Sequence, residues 1–468
     1  MNINKVQSGF YLLSDNSDAF IARFALATMA RKTLDIQYYI MHNDASGQHL
    51  AYAILSAADR GVNVRILLDD INIGGRDSAL KMLSQHENIE IRVFNPLKNR
   101  GLLRTIELLL HSNRAGRRMH NKAFIADDRA AIIGGRNIGD EYFDYRKNIS
   151  MVDLDALTVG PVVSDISASF CSFWQSQFVT DAEDLSKVTV LKSQLKGMRT
   201  RLKDKWSLAR NTDHYKSLQK SDLIQKIINR NIPFIWAECE VFFDQPEKIQ
   251  NHVADAESHL STSVREYTRR ATKRLLITTP YFIPGKKGMQ WLTEKCNNGI
   301  DIKVLTNSLS TTDVIAVHAG YRRYRKKLAE HGVKLFELKR DALTLREKTR
   351  NFIKGSTRLS LHAKYMIIDH QYLFIGSANF DPRSNRHNTE IGVMINSDEL
   401  TQQANNIYER ATSKENSYSI SIENKNGRLN WITQEDDVTV IYSDEPKASL
   451  RRRVIVFVAS LLPIEELL

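Results

Sequence analysis

Hydrophobic and polar positions follow the same order twice along this chain. LDIQYYI at 34–40 and LITTPYFI at 276–283 are apolar runs of strand character. GQHLAYAILSAADRG and KGMQWLTEKCNNG follow them, with apolar residues at helical spacing. Each ends in a glycine, Gly61 or Gly299, which predicts a helix stopped by a left-handed residue. Strands come next, VNVRILL and IDIKVLT, and then IEIRVF and VKLFEL. Pairing Ile40 with Ile283, the next shared feature, a histidine, lies 80 positions on in the first copy and 79 in the second. The repeated order of strand, helix and strand predicts two compact α/β units.

Length agrees with two units, since 468 residues exceed the roughly 300 at which a single core stops growing. The predicted boundaries are 1–182 for the first unit and 233–414 for the second. Residues 183–232, rich in Lys and Arg, read as a basic linker or insertion, and 415–468 as a C-terminal tail. Hydrophobic content of 42% with 26% charged residues describes a globular chain, not a disordered one. Cys171, Cys239 and Cys296 are odd in number and widely spaced, which argues against a disulfide framework or a zinc site and fits a reducing compartment. The longest uncharged apolar run, Val454 to Leu462, is too short for the ~20 residues of a spanning helix. A net charge of +12 suits an anionic partner, either nucleic acid or an acidic membrane surface.

The chemistry sits in RMHNKAFIADDRAAIIGGRNIGDEYF (118–143) and SLHAKYMIIDHQYLFIGSANFDPRS (360–384). His120, Lys122, Asp127, Gly134 and Asn137 recur at a constant spacing of 242 residues as His362, Lys364, Asp369, Gly376 and Asn379. Alternation predicts His and Lys on one face of a strand, with AFIA and YMII continuing as buried strand. Cleaving a phosphodiester calls for a nucleophile, a proton donor for the leaving oxygen and cations around the phosphoryl oxygens. Two histidines near their ordinary pKa of ~6.5 can divide the first two tasks, one neutral and one protonated. Lys and Asn supply the rest. Neither a metal nor another cofactor is called for.

These blocks resemble the phospholipase D superfamily, and the likeness covers nearly the whole chain. QYYI, AADRGVNVRILLDD, MHNKAFIADD, GGRNIGDEYF, TNSLSTTDVIAVHAGYRRYRKKL, LHAKYMIID, GSANFDPRSNRHNTEIG and LLPIEELL are more narrowly similar to bacterial cardiolipin synthases of the C type. The resemblance implies two tandem α/β/α sandwich domains, related by a pseudo-twofold, with a single active site at their interface. It implies His120 as the nucleophile, forming a phosphatidyl-histidine, and His362 as the acid and then the base; the reverse assignment is the alternative. Lys122, Lys364, Asn137 and Asn379 would hold the phosphoryl oxygens. Asp127 and Asp369, at the far end of their strands, are expected to be structural. Glu390 is the expected orienter of His362, and Asp153 its looser first-half counterpart. Gly135 stands where the second copy has Ser377, which implies unequal halves. Asp313, His318 and Tyr321 are acceptor-pocket candidates; a helix N-terminus and an exposed helix face is the other reading.

Two segments suggest contact with lipid. Residues 446–468, mainly KASLRRRVIVFVASLLPIEELL, set three arginines before an apolar run, the form of an interfacial helix; a helix docked on the body is the alternative. PLKNRGLLRTIELLLHSNRAGRR (96–118) interleaves Leu with Arg just before the first histidine. The expected substrates are phospholipids, with phosphatidylglycerol as acceptor and phosphatidylglycerol or phosphatidylethanolamine as donor. The expected place is the cytoplasmic face of the bacterial inner membrane, peripheral, on an anionic surface. Nucleic acid is the partner of the rival reading, a nuclease of the same superfamily. Phospholipase D hydrolysis and a non-catalytic membrane scaffold are the others. Oligomeric state is left open.

Overall fold

The computed structural model describes residues 6–100, 104, 107, 116–146, 148–185, 187–250, 260–342, 345, 358–423 and 427–461. The first half opens with β1 (Ser8–Leu13), α1 (Asn16–Met29), β2 (Thr33–Tyr38), α2 (Ala45–Asp59), β3 (Asn63–Asp69), α3 (Asp77–Leu83) and β4 (Ile89–Phe94). It continues with β5 (Ala123–Ala126), β6 (Ala130–Gly134), β7 (Ile149–Val152), β8 (Asp155–Val159), α4 (Val162–Trp174) and β9 (Val179–Asp181). Its sheet runs β9-β4-β3-β2-β5-β6-β8-β1, parallel among β2, β3 and β4 and antiparallel elsewhere. Gly61 at φ +91° and Gly299 at φ +88° close their helices as the pattern predicts.

The basic linker is not free. It folds into α5 (Lys192–Ala209), α6 (Asp213–Leu218) and α7 (Asp222–Ile228). Leu195, Leu202, Leu218 and Leu223 are buried in the first half's core, and Trp206 stacks on Phe24 at 4.6 Å. Its Lys and Arg occupy the solvent face of amphipathic helices.

The second half repeats the plan. β10 (Ile235–Phe243), α8 (Leu260–Arg269), β11 (Arg274–Thr278), α9 (Gly285–Asn297), β12 (Asp301–Asn307), α10 (Ile315–Glu330) and β13 (Lys334–Leu338) come first. β14 (Arg358–Leu361), β15 (Tyr365–Ile368), β16 (Tyr372–Gly376), α11 (Pro382–Arg386), β17 (Ile391–Asn396) and α12 (Asp398–Ala411) follow. The tail departs from expectation. β18 (Ser417–Ile422), β19 (Leu429–Glu435) and β20 (Val438–Tyr442) extend the second sheet antiparallel from β13, and only then comes α13 (Leu450–Leu461). The alternation in SYSISI buries Tyr418 and Ile420 against the core.

β10 joins the halves. Residues 235–237 pair with β1 and 238–243 with β17, so one sheet crosses the molecule. A central core draws on both halves, with Phe10, Phe94 and Phe170 from the first and Tyr365, Ile391 and Tyr408 from the second. At ~1.5–3 kcal/mol per fully buried large side chain, separating the halves would be strongly unfavourable.

One predicted correspondence needs correcting. The backbone pairs His42, not Ile40, with Ile283: His42 N donates to Ile138 O and Ile283 N to Phe380 O, each at 2.8 Å. Strand register agrees, since Leu34 lies opposite Ala126 and Leu275 opposite Ile368. The likeness of QYYI to PYFI is one of composition, and the hydrogen bonds set the register.

Candidate active site

AFIA and YMII are buried strands β5 and β15, as their composition predicts. The His-x-Lys segments lie just before these strands, not within them. In the first copy Met119 forms a parallel bridge with Thr389, and His120 N donates to Thr389 O at 2.9 Å. In the second, β14 pairs in parallel with β7, Leu361 opposite Val152, and His362 N donates to Val152 O at 2.8 Å. Parallel pairing sends the next residue of each partner the same way. Glu390 therefore arrives beside His120, and Asp153 beside His362.

The carboxylates are thus crossed between halves. His120 Nδ1 lies 2.8 Å from Glu390 Oε2, and His362 Nδ1 lies 2.6 Å from Asp153 Oδ2. This overturns the expectation that Glu390 orients His362. Asp153 and Glu390 do occupy matching places, but each serves the histidine of the other half. A carboxylate only accepts, so each Nδ1 carries a proton and each Nε2 is left for the substrate. Tyr39 and Tyr142, which the motif did not single out, meet His120 and His362 edge-on, both at 5.0 Å between ring centres.

The surroundings differ. Ser377 Oγ donates to Glu390 Oε2 at 2.5 Å and Ser384 Oγ to Oε1 at 2.8 Å. The backbone N–H of Glu390 is held by Asp244, itself paired with Lys248 at 2.8 Å. Among the described residues no hydroxyl does the same for Asp153. A Cβ on Gly135 would stand 2.4 Å from Asp153 Oδ1, so only glycine leaves room for that carboxylate. GGRN and GSAN differ at this position because one carboxylate needs space and the other a donor.

Lys122 and Lys364 are buried and turn back onto the carbonyls of His120 and His362, the first at 2.6 Å. Asn137 Nδ2 reaches Tyr142 Oη at 3.0 Å, and the buried Oδ1 atoms of Asn137 and Asn379 have no partner among the described residues. Turned over, the Asn137 amide would accept from the Tyr142 O–H and present Nδ2, the orientation a phosphoryl oxygen selects.

Electrostatics separates the histidines. Burial pushes His120 well below the ordinary histidine range, and the charges of Lys122 and Lys364 push the same way. Burial and Lys364 also lower His362, but Asp153 pulls it back up. Burial would raise Asp153, yet His362 and Lys364 outweigh it and hold the carboxyl below the usual range. Burial leaves Glu390 raised, against Lys122 and Ser377. His362 therefore faces the firmer anion.

The remaining candidates scatter. Asp127 accepts from the backbone N–H groups of Arg31, Lys32 and Thr33, and Asp369 from those of Thr272, Lys273 and Arg274. Both are far-end clamps on β2 and β11. Asp313 is exposed and accepts from Tyr281 Oη at 2.9 Å; its charge reaches Lys364 and Tyr142. His318 and Tyr321 do not line an open pocket. Each is 2% exposed, because helical spacing turns them to the inner face of α10, against Arg325, Glu337 and Glu445. Arg104 and Glu107 are the described members of the span 101–115, so the rest of that basic apolar segment lies outside the described residues. No cluster of three potential metal ligands forms among the described residues.

The site is thus built twice, from halves that match a known family twice. Residues 24–174 and 264–412 each match the family described as "Cardiolipin synthase, PLD-like domain". This chain belongs to that family. It is accordingly an enzyme, a phosphatidyltransferase of the phospholipase D superfamily. Cardiolipin synthase C of Escherichia coli (strain K12) is 38% identical over 99% of this chain and 96% of its own length. Cardiolipin synthase A of Pseudomonas entomophila (strain L48) is 24% identical over 82% of this chain and 64% of its own. A solved phosphatidylserine synthase from Haemophilus influenzae Rd KW20 shares the fold, with a TM-score of 0.63 over 100% of this chain and 98% of that one, at 11% identity. The architecture is therefore two tandem PLD-like α/β/α domains about a pseudo-twofold. Among the described residues no helix is long and apolar enough to cross a membrane.

Proposed function

We propose that this enzyme makes cardiolipin. It moves a phosphatidyl group from a donor phospholipid to a free hydroxyl of phosphatidylglycerol, through a phosphatidyl-histidine on His120. The observation that carries the reading is the crossed pair, His120 on Glu390 and His362 on Asp153, enclosing two Lys/Asn sets in one buried site. His120 Nε2 attacks phosphorus as the bond to the donor's head alcohol breaks. His362, protonated and steadied by Asp153, gives its proton to that leaving oxygen. Lys122, Lys364, Asn137 and Asn379 take up the phosphoryl charge. Neutral His362 then draws the proton from the incoming hydroxyl, whose oxygen displaces His120 and restores the enzyme. The assignment of His120 as nucleophile follows the family resemblance, and the Asp153 carboxylate, which pulls His362 upward, supports His362 as the acid.

With water as acceptor the same steps give phosphatidic acid. Asp313, exposed, hydrogen-bonded to Tyr281 and felt electrostatically at Lys364, is the proposed acceptor for a hydroxyl of a glycerol headgroup. The donor is phosphatidylglycerol or phosphatidylethanolamine. The place of action is the cytoplasmic face of the bacterial inner membrane, peripheral, consistent with three free cysteines. Mass spectrometry of products from purified enzyme on vesicles with isotopically marked donors tests this. Cardiolipin carrying the donor's phosphatidyl group is expected. Phosphatidic acid alone, or cleavage of plasmid DNA without lipid turnover, would overturn it.

A further inference from the structure

Helix α13 is built the wrong way round for a helix of a soluble surface. Leu450, Val454, Phe457, Val458 and Leu461 are 77%, 52%, 54%, 52% and 70% exposed, while Val456 is fully buried. Their spacing of 4, 3, 1 and 3 residues makes a single stripe at the helical period. That stripe points away from the body. The inner side docks on α10, with Val456 against Leu309 and Ala319, and Arg323 donating to Ser460 O at 2.7 and 2.9 Å. The helix is therefore held in place, with Val456 covered and the outward stripe left half or more exposed.

Cations border the stripe. Arg451 is exposed at the first turn, beside Leu450. Arg453 stands on the other flank, tied to Asp444 at 2.5 Å. The Arg322 guanidinium lies 5.9 Å from the centre of the Phe457 ring. Arg452 points inward and donates to Thr312 O at 2.5 Å, and the charges of Arg340 and Arg358 press on it. The root of the stripe is thus fastened at Thr312, next in sequence to Asp313, whose charge is felt at Lys364.

We propose that the outward face of α13 seats the enzyme on a bilayer containing anionic phospholipid, lying in the interface with arginines at the headgroups and the stripe among the acyl chains. Charge complementarity selects this occupant. An apolar stripe edged by arginines asks for a partner that is anionic at one depth and apolar just below, as an acidic lipid leaflet is. A second copy of α13 would set arginine against arginine. The proposal deepens the lipid-transfer reading by naming the surface that meets the membrane, and it rests on that reading only for the nature of the substrate.

The test uses the full chain and vesicles of phosphatidylcholine with or without phosphatidylglycerol. Wild type should float with the mixed vesicles and bind pure phosphatidylcholine much more weakly. The triple variant Phe457→Ser, Val458→Ser, Leu461→Ser should lose binding by about tenfold or more for each side chain. It should keep turnover on short-chain phosphatidylglycerol below its micelle concentration. In a separate single variant, Phe457→Trp, the added emission should be quenched by brominated acyl chains. Equal flotation of wild type and triple variant, absence of that quenching, or a wild-type dimer that the triple variant turns into a monomer would each overturn the proposal. Loss of cardiolipin formation with intact vesicle binding would count against the catalytic reading alone.

Discussion

His362 Nδ1 lies 2.6 Å from Asp153 Oδ2, across 209 residues of sequence and between the two halves of the chain. Its mirror relation joins His120 to Glu390 across 270 residues at 2.8 Å. Each half supplies an imidazole that the other half's carboxylate holds, so the proposed mechanism requires both halves.

Replacing Asp153 should therefore disable the second-half histidine. Asp153→Asn leaves the shape and removes the charge that lifts the pKa of His362. kcat should fall by about 10²–10⁴. In the proposed mechanism His362 acts first as a protonated acid, so the basic limb of the kcat/KM profile should move to lower pH. An unmoved limb, measured with native phospholipid, would contradict the coupling.

The two histidines should separate with a donor whose head alcohol is a nitrophenol. Such a leaving group departs without a proton. His362→Ala and Asp153→Asn should then still form the phosphatidyl-enzyme and stall before acceptor attack. His120→Ala should form none. Enzyme denatured in detergent at alkaline pH, where a histidine–phosphorus bond survives, and examined by mass spectrometry decides this, and label trapped on His362 in the His120 variant would reverse the assignment.

Ser377 and Gly135 predict unequal outcomes from similar edits. Ser377→Ala removes one charge-assisted hydrogen bond to Glu390 and should cost about 1.5–3 kcal/mol in transition-state free energy. Gly135→Ser should cost more, because its Cβ would meet Asp153 Oδ1 at 2.4 Å while that carboxylate is held by His362 and Leu154 N. Comparable kcat values in the two variants would remove this account.

Much of this was legible in sequence, because side-chain identity and period are local. The apolar runs of β5 and β15, the helix-stopping glycines and the matched histidines, lysines and asparagines all come from short windows. The crossing of the carboxylates does not. It follows from parallel pairing of Met119 with Thr389 and of Leu361 with Val152, contacts between halves that no local pattern encodes. The same limit explains the shift at Ile283 and the inward turn of His318 and Tyr321. The strands of 417–442 are different: their alternation is local, and a C-terminal tail over 415–468 does not account for it.

The far-end clamps carry a stability prediction. Burial would raise Asp127, but three backbone donors outweigh it and hold it below the usual range. A depressed carboxyl stabilises the fold above its unfolded pKa and loses that contribution as pH falls through the folded value. Asp127→Ala hands three N–H groups at the start of β2, largely at exposed positions, over to water and should cost about 0.5–1.5 kcal/mol near neutral pH. The deficit should shrink on acidification, with kcat per folded molecule unchanged. Thermal midpoints from pH 7 downward check it.

Asp381 carries the opposite sign. It caps α11, accepting from Ser384 N at 2.7 Å, and burial, with the charge of Glu390 adding to it, pushes its carboxyl up to about 7. A raised carboxyl stabilises the fold while it can hold its proton, fully below the unfolded value of ~3.9, and loses that contribution as pH climbs through the folded value. Asparagine caps a helix about as well as aspartate and cannot ionise. Asp381→Asn should match wild type near pH 4 and exceed it by on the order of 2 kcal/mol at pH 8. The helix dipole favours an anion at this end, but at ~0.3–1 kcal/mol it is the smaller effect. Calorimetric midpoints of both proteins across pH 5–8 settle the sign. A difference that stays flat, or that turns against the asparagine variant as pH rises, would mean that burial does not govern this carboxyl.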